Sequence, residues 1–459
     1  MSGSGKGLLA RESINPLGGD AVQQRMPTIR RLVCRTFVAA LVLASTARAQ
    51  VVSPHYDGRM RLQPSSGEAT ASWQMRLPAY TGDSVVLLLN AGLTQVQVRG
   101  PLVRQVTRDT SRGLVRLTVT LSPTRQPRDI ALEIATGGRL LISDEGINSV
   151  GADYVELGLD SFWFPVLAGF PDVRGTVRIE LPNDLHVVSG GSVAPEHRER
   201  DATASGSAMR VVTISNIGPL PDFTLTAARG MVTLSSDQVR AHTTTADTSL
   251  VREMLLVTEQ CSAYLRARYA GSTPFPVVDL VLPPRSGPGY ARQRFIVVPV
   301  GSWQGSPAEA KRKAASQTLF LCHELAHYWS SGAVASGPEN WLNEAFAEFV
   351  AGRAVRAIQG DSAFARVETQ WRARAARAGI VWSPTATQRP DQFASYGKAP
   401  LLLAQLEQRV GAAAMERVLH AYMTGALRTT PAVLDLMMRE LPREHAEWFR
   451  VALQSGGMP

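Results

Sequence analysis

Up to about residue 232 the chain alternates apolar and polar positions, or runs apolar for a few residues, in short stretches bounded by Gly, Pro, Asp or Ser. Such stretches fall at residues 85–89, 114–121, 177–181, 211–214 and 223–227, and each reads as a strand with a buried face. Short strands at this density predict an antiparallel sandwich or a saddle-shaped sheet. Phe162, Trp163, Phe164 and Pro165 form the most aromatic stretch and read as core, with a cleft lining as the alternative. Residues 189–208, rich in Gly, Ser and Ala with charges between, read as a surface loop.

After about residue 233 the period becomes helical. Residues 250–270 have Asp247, Thr248 and Ser249 as cap candidates and Gly271 as a stop. Residues 277–282 read as a buried strand. Ser306, Pro307, Ala308 and Glu309 combine a capping box with proline at the first helical position, so a helix is expected from there to about Trp329. Further helices are expected at 340–359, where Gly360 follows, and at 399–410, 412–424 and 431–439. The layout is α+β and multidomain: an antiparallel β domain over 50–232, then an α-rich domain over 233–459.

Composition changes this picture little in the body of the chain and more at its start. With 459 residues, 44% hydrophobic and 19% charged, the chain is an ordinary globular protein long enough for two or three cores. Residues 26–50 read as a secretory signal, with basic Arg30, Arg31 and Arg35, an apolar run over 37–44 and a small-x-small cleavage site ending at Ala49. Residues 1–49 are therefore expected to be a leader, with Met26 as the true start, or alternatively an uncleaved anchor. The apolar run is too short to span a membrane, so no stable insertion is expected after cleavage and the mature chain is expected to be periplasmic or secreted. Seven Lys/Arg of this leader stand beside only Glu12 and Asp20, so more than half of the net charge of +9 belongs to it. The remainder is too mild and scattered to argue for nucleic acid. Cleavage would leave Cys261 and Cys322, which are open to pairing or to burial as free thiols.

The chemistry concentrates near the end of the capped helix, in His323-Glu324-Leu325-Ala326-His327. Histidines at i and i+4 share one face, one turn apart, and both rings can reach one zinc ion; the intervening Glu324 suits a general base. Glu344 follows on the next predicted helix and would bring an oxygen ligand. Three protein ligands with an open position describe a catalytic rather than a structural zinc site. Glu348, one turn further, can orient a ligating imidazole or be an ordinary solvated carboxylate. His420 reads as a surface or core residue.

His323 to His327, together with Trp341-Leu342-Asn343-Glu344-Ala345-Phe346-Ala347-Glu348, resembles the aminopeptidase N type of gluzincin metallopeptidases, with their HELAH and WLNEGFA segments. The resemblance implies zinc ligation by His323, His327 and Glu344, with Glu324 as base, on a β domain followed by a thermolysin-like catalytic domain. Ser395-Tyr396-Gly397-Lys398-Ala399 is similar to the family's YEKG segment, which implies that Tyr396 stabilises the transition state. Three departures stand out. The spacer between His327 and Glu344 is two residues shorter than usual, and the chain ends without the large C-terminal helical domain of many relatives. An ungapped match from Asp279 also sets Arg292 where the family's GAMEN-like segment has the glutamate that grips a free α-amine. A cation there repels an ammonium group and favours an anion, unless the match is out of register or Arg292 points away to solvent.

The function expected is hydrolysis of peptide bonds in peptides or small proteins by a metal-activated water at one zinc ion. It would be aminopeptidase-like, with amino-terminus recognition in doubt through Arg292. The alternatives are an endopeptidase or carboxylate-directed peptidase and, from another class, a non-catalytic peptide-binding module that retains the fold.

Overall fold

The computed structural model describes residues 53–457 except 112, 143–146, 196–207, 247, 272–274, 303–306, 336 and 426. The leader, the cap candidate Asp247, Ser306 of the capping box and most of the 189–208 loop lie outside the described residues.

Strands dominate as far as residue 243, in four sheets among the described residues. A seven-stranded sheet runs in the order Ser192–Pro195, Met209–Leu220, Val173–Pro182, His55–Gln63, Glu68–Tyr80, Arg128–Arg139 and Gln95–Arg99. It is antiparallel except where His55–Gln63 pairs in parallel with Val173–Pro182, His55 opposite Arg174. One four-stranded sheet is built around Ser84–Asn90 and Leu114–Leu121, another around Leu225–Arg229 and Tyr154–Leu157. The expected strands at 85–89, 114–121, 177–181 and 211–214 fall inside observed ones. The stretch expected at 223–227 is shifted, because Phe223 turns into the core and pairing starts at Leu225.

Side chains on alternate positions face inward, as the period-2 geometry of a strand dictates. In His55–Gln63, for example, Tyr56, Met60 and Leu62 are buried while their neighbours are exposed. The β core closes around Tyr56, Trp73, Trp163, Phe164 and Phe223, whose rings meet edge to face at centroid distances such as 5.6 Å and 5.8 Å. Trp163 and Phe164 are thus core residues, as the aromatic run suggested, and the Tyr56 hydroxyl donates to the Pro165 carbonyl at 2.6 Å.

The helical half begins on a sheet of which the sequence announced one strand, the buried stretch at 277–282. Val232–Ser235, Val239–Thr243, Val278–Leu282, Phe295–Val297 and the edge strand Tyr290–Arg292 form five strands in that order. Against them pack helices α1 (Thr248–Tyr269) and α2 (Pro307–Ala326), and on α2 lie α3 (Asn340–Gln359) and α4 (Asp361–Ala375). Helices α5 (Ala399–Val410), α6 (Ala412–Thr424), α7 (Thr430–Glu440) and α8 (Arg443–Gln454) complete the bundle. Most expected helices coincide within a residue or two; α4 and α8 were not expected. Among the described residues, no helix is long and apolar enough to cross a membrane. The two cysteines left open by the sequence are joined: Cys261 on α1 and Cys322 on α2 form a disulfide with Cα atoms 5.0 Å apart. This ties α1 to the turn of α2 directly before His323.

Two buried ion pairs fasten the β half to the edge strand and to the loop that precedes it. Arg285 donates from Nε and Nη2 to both oxygens of Glu156, at 2.6 and 2.7 Å. Arg292 does the same to Asp222, at 2.8 and 3.0 Å. Both carboxylates are fully buried. Fork-to-fork geometry of this kind offsets the desolvation that burying a charge costs.

Candidate metal centre

Past the end of helix α2 at Ala326 the His327 N–H still reaches the His323 carbonyl at 3.3 Å, and the chain then turns through Tyr328 and Trp329. The helix was expected to run to Trp329 and ends at Ala326, but the i to i+4 relation of the histidines survives. Their rings lie 4.7 Å apart at 90°.

Helix α3 packs on α2, and its Trp341, Leu342, Ala345 and Phe346 are fully buried, Trp341 beside Phe449 and Phe346 stacked on Tyr422. The connection between the helices is pinned by Asn343, whose side chain accepts from the Ala333 N–H at 3.0 Å and donates to its carbonyl at 2.9 Å. Ser330 Oγ donates to the Leu342 and Asn343 carbonyls. A connection fastened this way sets where Glu344 emerges, and Asn343 was missed in the sequence although a polar residue on an apolar helix face is a visible signal.

Glu344 Oε2 stands 3.6 Å from Nε2 of His323 and 3.5 Å from Nε2 of His327. These gaps are too long for good hydrogen bonds, and suit three donors arranged around a shared cation. Among the described residues, His323, His327 and Glu344 are the group whose ligand atoms, all within 4.8 Å of one another, can hold a metal ion. Each outer ring nitrogen has an acceptor close by, as metal-binding imidazoles require. His323 Nδ1 lies 2.9 Å from Glu348 Oε2, bent from the line of its N–H, and His327 Nδ1 lies 3.0 Å from the Ser330 carbonyl. Glu348 is itself buried and accepts from Trp371 Nε1 at 2.9 Å and from Arg374 Nη1 at 3.4 Å. Two imidazoles and one carboxylate, with their far sides fixed, fit zinc.

Electrostatics point the same way. Burial would lower the His323 pKa, but the facing carboxylates Glu344 and Glu348, with Glu324, raise it to about 10. Burial would raise that of Glu344, but the two imidazoles hold it far below the usual carboxylate range. The carboxylates thus favour positive charge among these groups, which a divalent ion can supply.

Tyr396 comes from a π-helical turn, Ala394–Lys398, and its hydroxyl donates to Glu344 Oε2 at 2.6 Å. Gly397 permits this placement: a Cβ there would lie 2.4 Å from Cβ of Arg374, against the backbone of α4. Burial, then the charge of Glu344, push the Tyr396 hydroxyl above its ordinary value of 10, so it remains a donor at neutral pH. Glu324 is half-buried beside the histidines.

The remaining expected residue lies apart from these contacts. Arg292, in the edge strand, has its guanidinium on Asp222 and on the Ala291 carbonyl at 2.9 Å, with Tyr290 beneath it. The strand does run beside α2, since a Cβ on Gly289 would sit 2.7 Å from the ring of Phe320, one turn before Glu324. The reach of Arg292 is spent on the β half, and Asp222, seventy residues upstream, was not foreseen as its partner. Two further residues touch Glu344 Oε1 and were also missed: Asn340, donating from Nδ2 at 3.1 Å, and Arg389, donating from Nη2 at 3.5 Å.

The fold built from these parts is that of the M1 zinc metallopeptidases, the aminopeptidase N family. The M1 zinc metallopeptidase from Deinococcus radiodurans superposes with a TM-score of 0.64 at 21% identity, covering 90% of this chain and 96% of that one. A mutant two-domain M1 zinc metallopeptidase bound to L-arginine matches at 0.64 and 20% identity, and a mutant of the Deinococcus enzyme bound to the peptide Tyr-Ser-Ala at 0.63 and 20%, each with the same coverage. No protein-family model matches the chain, and no curated protein does.

Proposed function

We propose that this protein is a zinc peptidase that hydrolyses peptide bonds at a single ion held by His323, His327 and Glu344. The observation that carries the reading is the convergence of those donor atoms within 4.8 Å, with the Tyr396 hydroxyl on the same Glu344 oxygen. Zinc, when bound, supplies Lewis-acid polarisation of a carbonyl and of water. Glu324 takes a proton from the attacking water and returns one to the leaving amine. Tyr396 donates a hydrogen bond to the oxyanion as charge develops. Glu348 holds the ring of His323, and is itself held by Trp371 and Arg374.

The catalytic part is read as a thermolysin-like domain over residues 233–459 on a β domain over 50–232, exported by the leader 1–49 to a periplasm or the exterior. The Cys261–Cys322 disulfide supports an oxidising compartment. Peptides or small proteins are the substrates, with neither nucleic acid nor a membrane as partner. The M1 neighbours bound to an amino acid or a peptide support the aminopeptidase-like reading. Arg292 weighs on amino-terminus recognition only through a pair with Asp222 that carries no net charge. An endopeptidase, a carboxylate-directed peptidase or a peptide-binding module that kept the fold are the rival readings. Mass-spectrometric cleavage mapping of a mixed peptide library, half with acetylated amino termini, tests all of them. Cuts by the wild type that vanish in Glu324→Gln support a peptidase; an identical library after incubation with either protein refutes it.

A further inference from the structure

Glu344 divides its two oxygens between different tasks. Oε2 faces His323, His327 and Tyr396, while Oε1 faces Asn340 and Arg389. The Arg389 guanidinium therefore stands one carboxylate away from the metal ligands. Its side chain is 45% exposed, against 12% for Glu344. Its bond to Glu344 is long, at 3.5 Å, and among the described residues its other N–H donors have no partner. Arg374, the other arginine near the centre, is committed to Glu348 and to the Tyr396 carbonyl. Arg285 and Arg292 are committed to Glu156 and Asp222. Arg389 is thus the guanidinium near the proposed reacting atoms that still has donors to give.

A planar fork of five donors matches a carboxylate better than any other group of a peptide. Resting on the peptidase reading above, we propose that Arg389 binds a substrate carboxylate next to the scissile bond, and so selects peptides with an anion there. The carboxylate is either the C-terminus of a short peptide or an acidic side chain. One charge-assisted contact at a half-exposed position corresponds to roughly tenfold in affinity or kcat/KM. Arg389 also touches a proposed metal ligand, so the readout is a ratio in which any effect on the metal cancels.

Zinc-loaded wild type and Arg389→Gln are assayed for kcat/KM on Ala-Ala and Ala-Ala-amide, and on Ala-Glu-amide and Ala-Gln-amide. The same four peptides are titrated calorimetrically into Glu324→Gln with and without Arg389→Gln. The proposal expects one pair to show about a tenfold preference for the anionic peptide, expressed in KM and in binding. That preference should collapse towards one in Arg389→Gln and partly return in Arg389→Lys. A preference in the first pair identifies the terminal carboxylate, and in the second the acidic side chain. Ratios near one in both pairs for the wild type, or ratios unchanged in Arg389→Gln, overturn it while leaving the peptidase reading intact. Equal binding of the anionic and neutral peptides overturns it whatever the turnover, and failure of the wild type to cleave any of the four counts against the peptidase reading.

Discussion

Two groups of buried charges, one at the edge strand and one at the metal centre, are built differently. At the edge strand and the loop before it two buried carboxylates have met their cations: Arg285 forks onto Glu156 and Arg292 onto Asp222, with contacts of 2.6–3.0 Å. At the metal centre Glu344 faces two imidazoles across gaps of 3.5 and 3.6 Å. The first arrangement is finished by the chain alone, and the second is left in a form that a metal ion can complete. Closed pairs belong to stability, and open ones to chemistry.

The contrast predicts which substitutions leave the fold alone. Glu324→Gln should lower kcat by about 10²–10⁴-fold while the unfolding curve and bound zinc stay unchanged; a variant that keeps activity, or that loses its zinc, removes Glu324 from its role. Asp222→Asn strands a buried guanidinium and should cost about 3–5 kcal/mol of stability in denaturant unfolding. A cost below about 1 kcal/mol would show that the edge-strand pair is not closed as described. Tyr396→Phe should reduce kcat by roughly 10²-fold with little effect on KM, as measured on any peptide that the wild type cleaves. Equal losses in stability and rate would place Tyr396 with the closed pairs instead.

The smallest effect concerns acid. Asp279 is buried between strands and accepts from Arg240 at 2.8 Å, Arg294 at 2.6 Å and, across 3.1 Å, the ring of His242. Burial would raise its pKa, but His242, then Arg240 and Arg294, hold it below the usual 3.8. A depressed folded-state pKa adds stability that is present above the unfolded value and lost as pH falls through the folded one. Urea unfolding from pH 5 down to pH 2 should therefore show a loss below about 3.8 that is shallower in Asp279→Asn. Parallel curves would assign the loss to other groups.

How legible each region is in the sequence follows from the range of its interactions. His323 and His327 stand out by their one-turn spacing and Glu344 by its place on the next helix in a segment that resembles WLNEGFA, and the three do converge. Helix α4 buries Ala363, Val367, Trp371 and Ala375, a stripe every four residues that was present but masked by its charged remainder. The strand Val103–Ser111 is exposed along almost its whole length and offers no alternation to read. Arg292 shows the limit more sharply. Its position in the edge strand follows from counting along the chain, but its partner does not, because Asp222 comes from another sheet region 70 positions away. Arg389 lies in an irregular stretch between α4 and Tyr396, where no period marks it, and only the fold brings it to Glu344.

The central claim is that the open group is completed by one zinc ion. Residues 50–459, loaded with zinc at pH 7 and desalted, should carry one zinc per chain by plasma mass spectrometry. His327→Ala should carry almost none while keeping its circular-dichroism spectrum. A wild type that holds no zinc, or a His327→Ala protein that holds as much, would contradict it.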